Sequence, residues 1–230
     1  LNIAEMTAWY AVFLFSVTCH EAAHAWMAMK NGDLTAYSGG QVSLDPLPHI
    51  RREPVGMVVL PIISLLLIHW PFGYASAPYD PHWAARHYRR AAVMALAGPA
   101  ANLLLMIGAV GLTWLGILGG LFILPESVNF THIVTPAGPG AAPPLALLLS
   151  ILFSMNLILV ILNMLPLPPL DGSEAITLFM NSEQADKYKR IINNPSFALI
   201  GLLIAWQILS PLFDYIFTAL VSLIYPGYYS

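Results

Sequence analysis

Phe13-Leu14-Phe15-Ser16-Val17-Thr18-Cys19-His20-Glu21-Ala22-Ala23-His24-Ala25-Trp26 places three ionisable residues within five positions of an otherwise apolar run. The run extends from 5 to 29, longer than the roughly 20 residues needed to cross about 30 Å of hydrocarbon. Ionisable groups are costly inside a membrane helix and mark function there, each needing a partner. The surrounding composition agrees with a bilayer setting. Of 230 residues, 58% are hydrophobic and only 9% charged, whereas a soluble domain carries about 25% charge. The expected class is an all-α integral membrane protein, a polytopic helical bundle in a single domain over 1–230.

Further spans are expected at 91–119, 145–165 and 197–224. A shorter apolar stretch, 55–70, contains Pro61 and ends at His69-Trp70-Pro71. Gly39-Gly40-Gln41-Val42-Ser43-Leu44 follows a glycine pair with partial alternation and reads as a short strand or hairpin arm. Asp45 to Pro54 holds three prolines, which predicts a loop without regular helix. The N-terminal run lacks a basic segment and a small-residue cleavage site, so it reads as a retained helix rather than a signal peptide.

The net charge of −3 and the lack of basic runs interleaved with aromatics exclude a nucleic-acid groove. Cys19 is the single cysteine, which rules out an intrachain disulfide or a cysteine zinc cluster. Neither a G-x-S-x-G motif nor a cysteine beside a base supports serine or cysteine chemistry.

His20-Glu21-Ala22-Ala23-His24 is an H-E-x-x-H pattern. At 3.6 residues per turn both imidazoles lie on one helix face and can share a zinc ion. Glu21 can then reach the metal-bound water, take its proton and pass it to a leaving amine. A catalytic zinc normally has a third protein ligand. The candidates are the remaining acids and His49, His69, His82, His87 and His132. Asp171 stands out because it follows the proline-stiffened exit Pro166-Leu167-Pro168-Pro169-Leu170. It serves either as that ligand or as N-cap of a helix starting near Ser173, while Gly172 permits a tight turn. His69, Trp70 and Trp83 read as interfacial anchors, and His49 as a loop histidine at the membrane surface.

Three separated motifs together resemble the site-two protease family of intramembrane zinc metalloproteases. They are His20 to His24, Gly98-Pro99-Ala100-Ala101-Asn102, and Asn163 through Gly172, in matching order and hydrophobic setting over most of 5–182. The resemblance implies one zinc per chain held by His20, His24 and Asp171, with Glu21 as catalytic base. It implies that Asn102 and Asn163 orient substrate or stabilise an oxyanion. It also implies that a hairpin at Gly40, Gln41, Val42 and Ser43 pairs with an unwound substrate strand. The implied substrates are single-pass membrane proteins or remnant signal peptides. The 120–144 connection is too short for a PDZ domain, so a compact member is expected. The alternatives are a membrane metal-ion transporter and a non-proteolytic relative. Neither needs Glu21 between the histidines, and no duplicated halves support transport.

Topology follows from the ligands. Asp171 meets the histidines only if the first and the 145–165 spans run the same way, which requires 55–70 to be re-entrant. All nine Lys and Arg then fall on one side, cytoplasmic by the positive-inside rule. The expected setting is a prokaryotic plasma membrane with the active site toward the cytoplasm, the metal lying roughly 15 Å below Lys30 at 1.5 Å per residue.

Overall fold

The computed structural model describes residues 2–192 and 194–227. Ten helices appear among them: α1 (Ile3–Lys30), α2 (Thr35–Ser38), α3 (Pro46–Arg52), α4 (Leu60–Ile68), α5 (Pro81–Arg86), α6 (Tyr88–Leu118), α7 (Ala142–Met164), α8 (Asp171–Ala175), α9 (Ser182–Ile192) and α10 (Pro195–Ile224). Two short strands, β1 (Phe122–Ile123) and β2 (Thr135–Pro136), pair antiparallel between α6 and α7. The protein is a helical membrane protein: α6, α7 and α10 are long and apolar enough to cross a bilayer. α1 has their length, 28 residues, but its polar residues keep it outside that apolar class. One face of it packs in protein, with His20, Glu21 and His24 all buried, while Phe15 and Trp26 stay exposed.

α1, α6 and α7 form the centre. Residues 24 and 16 of α1 contact 94 and 102 of α6 respectively, so these helices run antiparallel. Ser16 meets Asn156 of α7, and Trp9 shares a cluster with Ile151 and Met155. α7 therefore runs parallel to α1 and delivers its C-terminal exit to the level of His20. On the far side of α7, α10 contributes Phe213 and Val221 to a second cluster with Met106, Phe153 and Leu157.

The apolar stretch after Pro54 starts as a π-helical turn, Val55–Val59, and continues as α4. The helix ends at His69, whose φ is 59°. The chain then returns along it. Phe72 N–H donates to Ser64 Oγ at 2.7 Å and Tyr74 N–H to the Gly56 carbonyl at 3.1 Å. Ser76 Oγ donates to Glu53 at 2.6 Å, so by residue 76 the backbone is again beside its point of departure. Glycine makes the close return possible: a Cβ on Gly56 would overlap Tyr74, and one on Gly73 would overlap Gly56, Phe13 and Pro61. Trp70, at the turn, packs on Trp9 and Phe130 at ring distances of 4.6 and 5.6 Å. Trp83 is buried, with its indole N–H donating to the Asn31 carbonyl. Both tryptophans thus have partners within the protein.

Three local expectations are corrected. Gly39 to Leu44 contains no strand: Gly40, at φ 73°, is the left-handed residue that closes α2. Gly40 N–H donates to Tyr37 O and Gln41 N–H to Ala36 O, the pairing of a Schellman cap. A glycine pair before alternating residues suits a helix stop as well as a hairpin, and here the helix stop prevails. Asp45 to Pro54 is not a plain loop, because α3 occupies 46–52. Asp45 caps it by accepting from Leu47 N–H at 2.9 Å. Pro46 and Pro48 fall in the first turn, where the missing N–H groups have no intrahelical acceptor to lose. His49 is buried in α3, and its Nε2 lies 3.0 Å from the Ser43 carbonyl. It is not a surface histidine.

Gly56→Ala is expected to lower stability by about 1–3 kcal/mol through overpacking against Tyr74. Thermal unfolding in detergent measures this; an unchanged Tm contradicts the close return of the chain.

Candidate metal centre

His20 and His24 lie one turn apart on α1, and α6 crosses their face. Their Nε2 atoms are 2.9 Å apart. Asp171 Oδ2 is 3.1 Å from the first and 3.3 Å from the second. A tetrahedral zinc with ligands at 2.0–2.1 Å separates its donor atoms by roughly 3.3 Å. The triangle has that size. Among the described residues, no other group of three His, Cys, Asp or Glu side chains brings its ligand atoms so close together. His49, His69, His82, His87 and His132 lie outside it.

The remaining ring nitrogens indicate what the triangle is for. His24 Nδ1 sits 2.8 Å from the Met94 carbonyl, which only accepts, so that nitrogen carries the proton. His20 Nδ1 faces Asn102 Oδ1 in the same way. Both Nε2 atoms therefore turn lone pairs toward Asp171 Oδ2, a buried oxygen that accepts no hydrogen bond. Three electron-rich donors facing one small volume suit a cation. Second-partner contacts of this type orient imidazole ligands and fix their tautomer.

The α6 backbone keeps the space beside the two imidazoles clear. A Cβ on Gly98 would collide with the Nε2 atoms of both His20 and His24, so glycine alone leaves the volume between them open. Asp171 reaches the triangle through a second bare backbone. Gly172 has no positive φ; a Cβ there would strike the carbonyls of Met164 and Leu165. Its role is close approach to the end of α7, not the tight turn its identity suggested. The N-cap reading of Asp171 is also settled: α8 begins at Asp171, its N-cap is Leu170, and no side chain caps it.

Glu21 is buried beside His20, with 5% of its surface exposed. A cavity of about 250 Å³, lined by Tyr79, Ala91, Met94, Leu170, Asp171 and Glu174, opens against the Asp171 carboxylate. Asn102 is fully buried and touches the centre through His20. Asn163 is half-buried near the end of α7 and makes no hydrogen bond to the cluster. The asparagine of α7 that does reach inward is Asn156, bonded to Asn102 at 2.8 Å. It was overlooked on the sequence, although an amide in the middle of Ile151 to Ile161 is itself a signal of a buried partner.

Residues 8–203 match peptidase family M50. The chain belongs to that family. M50 is the site-two protease family that the three motifs resemble. The chain is 30% identical over 165 residues to a Bacillus subtilis protein named "Putative zinc metalloprotease YwhC", covering 71% of this chain and 64% of the relative. It is 30% identical over 173 residues to "Putative zinc metalloprotease Rip2" of Mycolicibacterium smegmatis, covering 75% and 57% respectively. The Rip2 of Mycobacterium tuberculosis strain H37Rv is 28% identical over 194 residues, with 84% and 64% covered. The chain thus spans about three-fifths of the length of these relatives. No solved structure matches it significantly.

Gly98→Ala leaves His20, His24 and Asp171 in place yet fills the volume between them. Overpacking of about 1–3 kcal/mol corresponds to roughly 5–150-fold weaker metal binding. Metal analysis after equilibration with buffered zinc reads this, and wild-type occupancy in the variant contradicts the geometry.

Proposed function

We propose that this chain is an intramembrane zinc metallopeptidase that cleaves peptide bonds in or near transmembrane segments, single-pass proteins or remnant signal peptides being its substrates. The observation that carries the reading is the convergence of His20 Nε2, His24 Nε2 and Asp171 Oδ2 with both Nδ1 atoms tied to acceptors. These three residues would hold the ion. When bound, zinc would supply Lewis acidity, lowering the pKa of water toward about 7.

Glu21 acts as the base, taking the proton of the attacking water and returning it to the leaving amine. Its place next to His20 and its burial keep it at the reacting volume and out of bulk solvent. Asn102 holds the His20 ring, and Met94 O holds that of His24. The cavity beside Asp171, which Ile192 at the end of α9 also lines, would admit water to the centre. A transmembrane helix has its backbone groups bonded internally, so the substrate unwinds before its carbonyl reaches this centre.

In the bilayer, α1, α6 and α7 are three successive crossings, and the segment 55–70 is re-entrant, returning to the side it left. Polar and irregular backbone at such depth is tolerated against protein or a wet cavity. All nine basic residues then share one side, which the positive-inside rule makes cytoplasmic. The centre faces the cytoplasm of a plasma membrane.

Glu21→Gln is expected to retain zinc and lose cleavage of transmembrane peptides by about 10²–10⁴-fold, while Asp171→Ala loses metal affinity. Cleavage by Glu21→Gln at the wild-type rate overturns the mechanism, and zinc transport into vesicles without cleavage replaces it with a transporter. In a Cys19→Ser background, a cysteine at Ser127 is expected to react with an impermeant reagent applied outside the cell, and one at Arg52 is not. The reverse pattern contradicts the orientation.

A further inference from the structure

We propose that Asn156 is a positioning residue for the metal centre: through Asn102 it compels His20 to carry its proton on Nδ1, and so aims the Nε2 lone pair at the ion. The proposal rests on the metal-centre reading above and extends it one helix outward, to a side chain that touches no ligand.

The direction of the relay is set at its far end. Asn156 Nδ2 lies 2.7 Å from the Leu152 carbonyl and 2.9 Å from Ser16 Oγ. A carbonyl only accepts, so the amide nitrogen of Asn156 must face it. Asn156 Oδ1 therefore faces Asn102 and accepts from Asn102 Nδ2 at 2.8 Å. The second amide hydrogen of Asn102 goes to the Ser16 carbonyl at 3.3 Å. With both hydrogens of Asn102 committed, only its Oδ1 is left for His20 Nδ1. An unprotonated Nδ1 would set lone pair against lone pair, so the proton resides there. Reversing either amide would oppose two acceptors or two donors in a site closed to solvent: Asn102, Asn156 and Ser16 are all fully buried.

His24 needs no such relay, because a backbone carbonyl, Met94 O, orients it directly. Its neighbour does. An asparagine beside an imidazole can present either end. The Ser16 carbonyl opposes the reversed end at 3.3 Å, and Asn156 Oδ1, closer at 2.8 Å, completes the choice. The same residues also join α1, α6 and α7, and a purely structural cross-link is the reading that a test must separate from the relay.

The experiment is a double-mutant cycle on the full-length protein in detergent, with Co²⁺ binding followed by its visible absorption and by competition with a chelator. Asn156→Leu, close in volume, is expected to weaken Co²⁺ binding about 10-fold or more, the loss seen when a partner of a ligating imidazole is removed. Asn102→Ala weakens it similarly. Adding Asn156→Leu to Asn102→Ala is expected to cost no further affinity, because the relay is already cut, even though thermal stability falls further. Asn156→Ala replaces the leucine variant if the latter does not fold, with the same expectation. Unchanged Co²⁺ affinity in Asn156→Leu, or affinity losses that add in the double variant, overturns the relay while leaving the metal centre intact. A wild-type protein that binds neither Co²⁺ nor Zn²⁺ overturns the metal centre and the relay with it.

Discussion

Two imidazoles and a carboxylate from sequence positions about 150 residues apart share one small volume inside an apolar bundle, and the surrounding architecture can be understood from what that costs. Unpaired ionisable groups away from water are expensive. His20 and His24 are each tied at Nδ1, and their free nitrogens face Asp171 across 3.1 and 3.3 Å. For these contacts to exist, α7 must run parallel to α1 and release its chain at the level of the histidines. α6 must lie antiparallel between them and present a bare Cα at Gly98. The stretch from 55 to 76 must turn back on itself.

The same requirement accounts for where glycine and asparagine sit. Gly98 and Gly172 are not at turns; each removes a Cβ where backbone meets a ligand or a carbonyl. Asn102 and Asn156 are polar side chains by which three helices grip one another: Asn102 donates to Asn156 Oδ1 and the Ser16 carbonyl, and Asn156 donates to Ser16 Oγ and the Leu152 carbonyl. In a bilayer such bonds act where apolar contact between helices gives no special advantage over lipid. Rigidity at His20 and His24 is thereby combined with an open cavity beside Asp171.

Much of this was legible beforehand, for physical reasons that differ by element. The helical face of His20 and His24 follows from a spacing of four, and the bundle class from composition. The inward reach of Asp171 was suggested by its proline-rich exit but could not be separated from an N-cap on local grounds. What decides it is Gly172 packed on Leu165, a tertiary contact. The glycine pair 39–40 misled because hairpin turns and helix stops both need positive φ. Pro46 and Pro48 misled because proline breaks a helix interior but not a first turn. Asn163 drew attention through its motif, whereas Asn156, set in plain apolar sequence, faces the centre. Which face of α7 looks inward is determined by its packing on α1 and α6, not by its own periodicity, since it is apolar on nearly every side.

Whether His20, His24 and Asp171 bind one zinc ion together is decided by X-ray absorption at the zinc edge of the purified protein. Two imidazole nitrogens at about 2.0–2.1 Å with oxygen ligands completing a four-coordinate shell is the expected spectrum, reduced to one imidazole in His24→Ala. A zinc-free protein, or a shell of oxygen alone, contradicts the metal centre and everything derived from it.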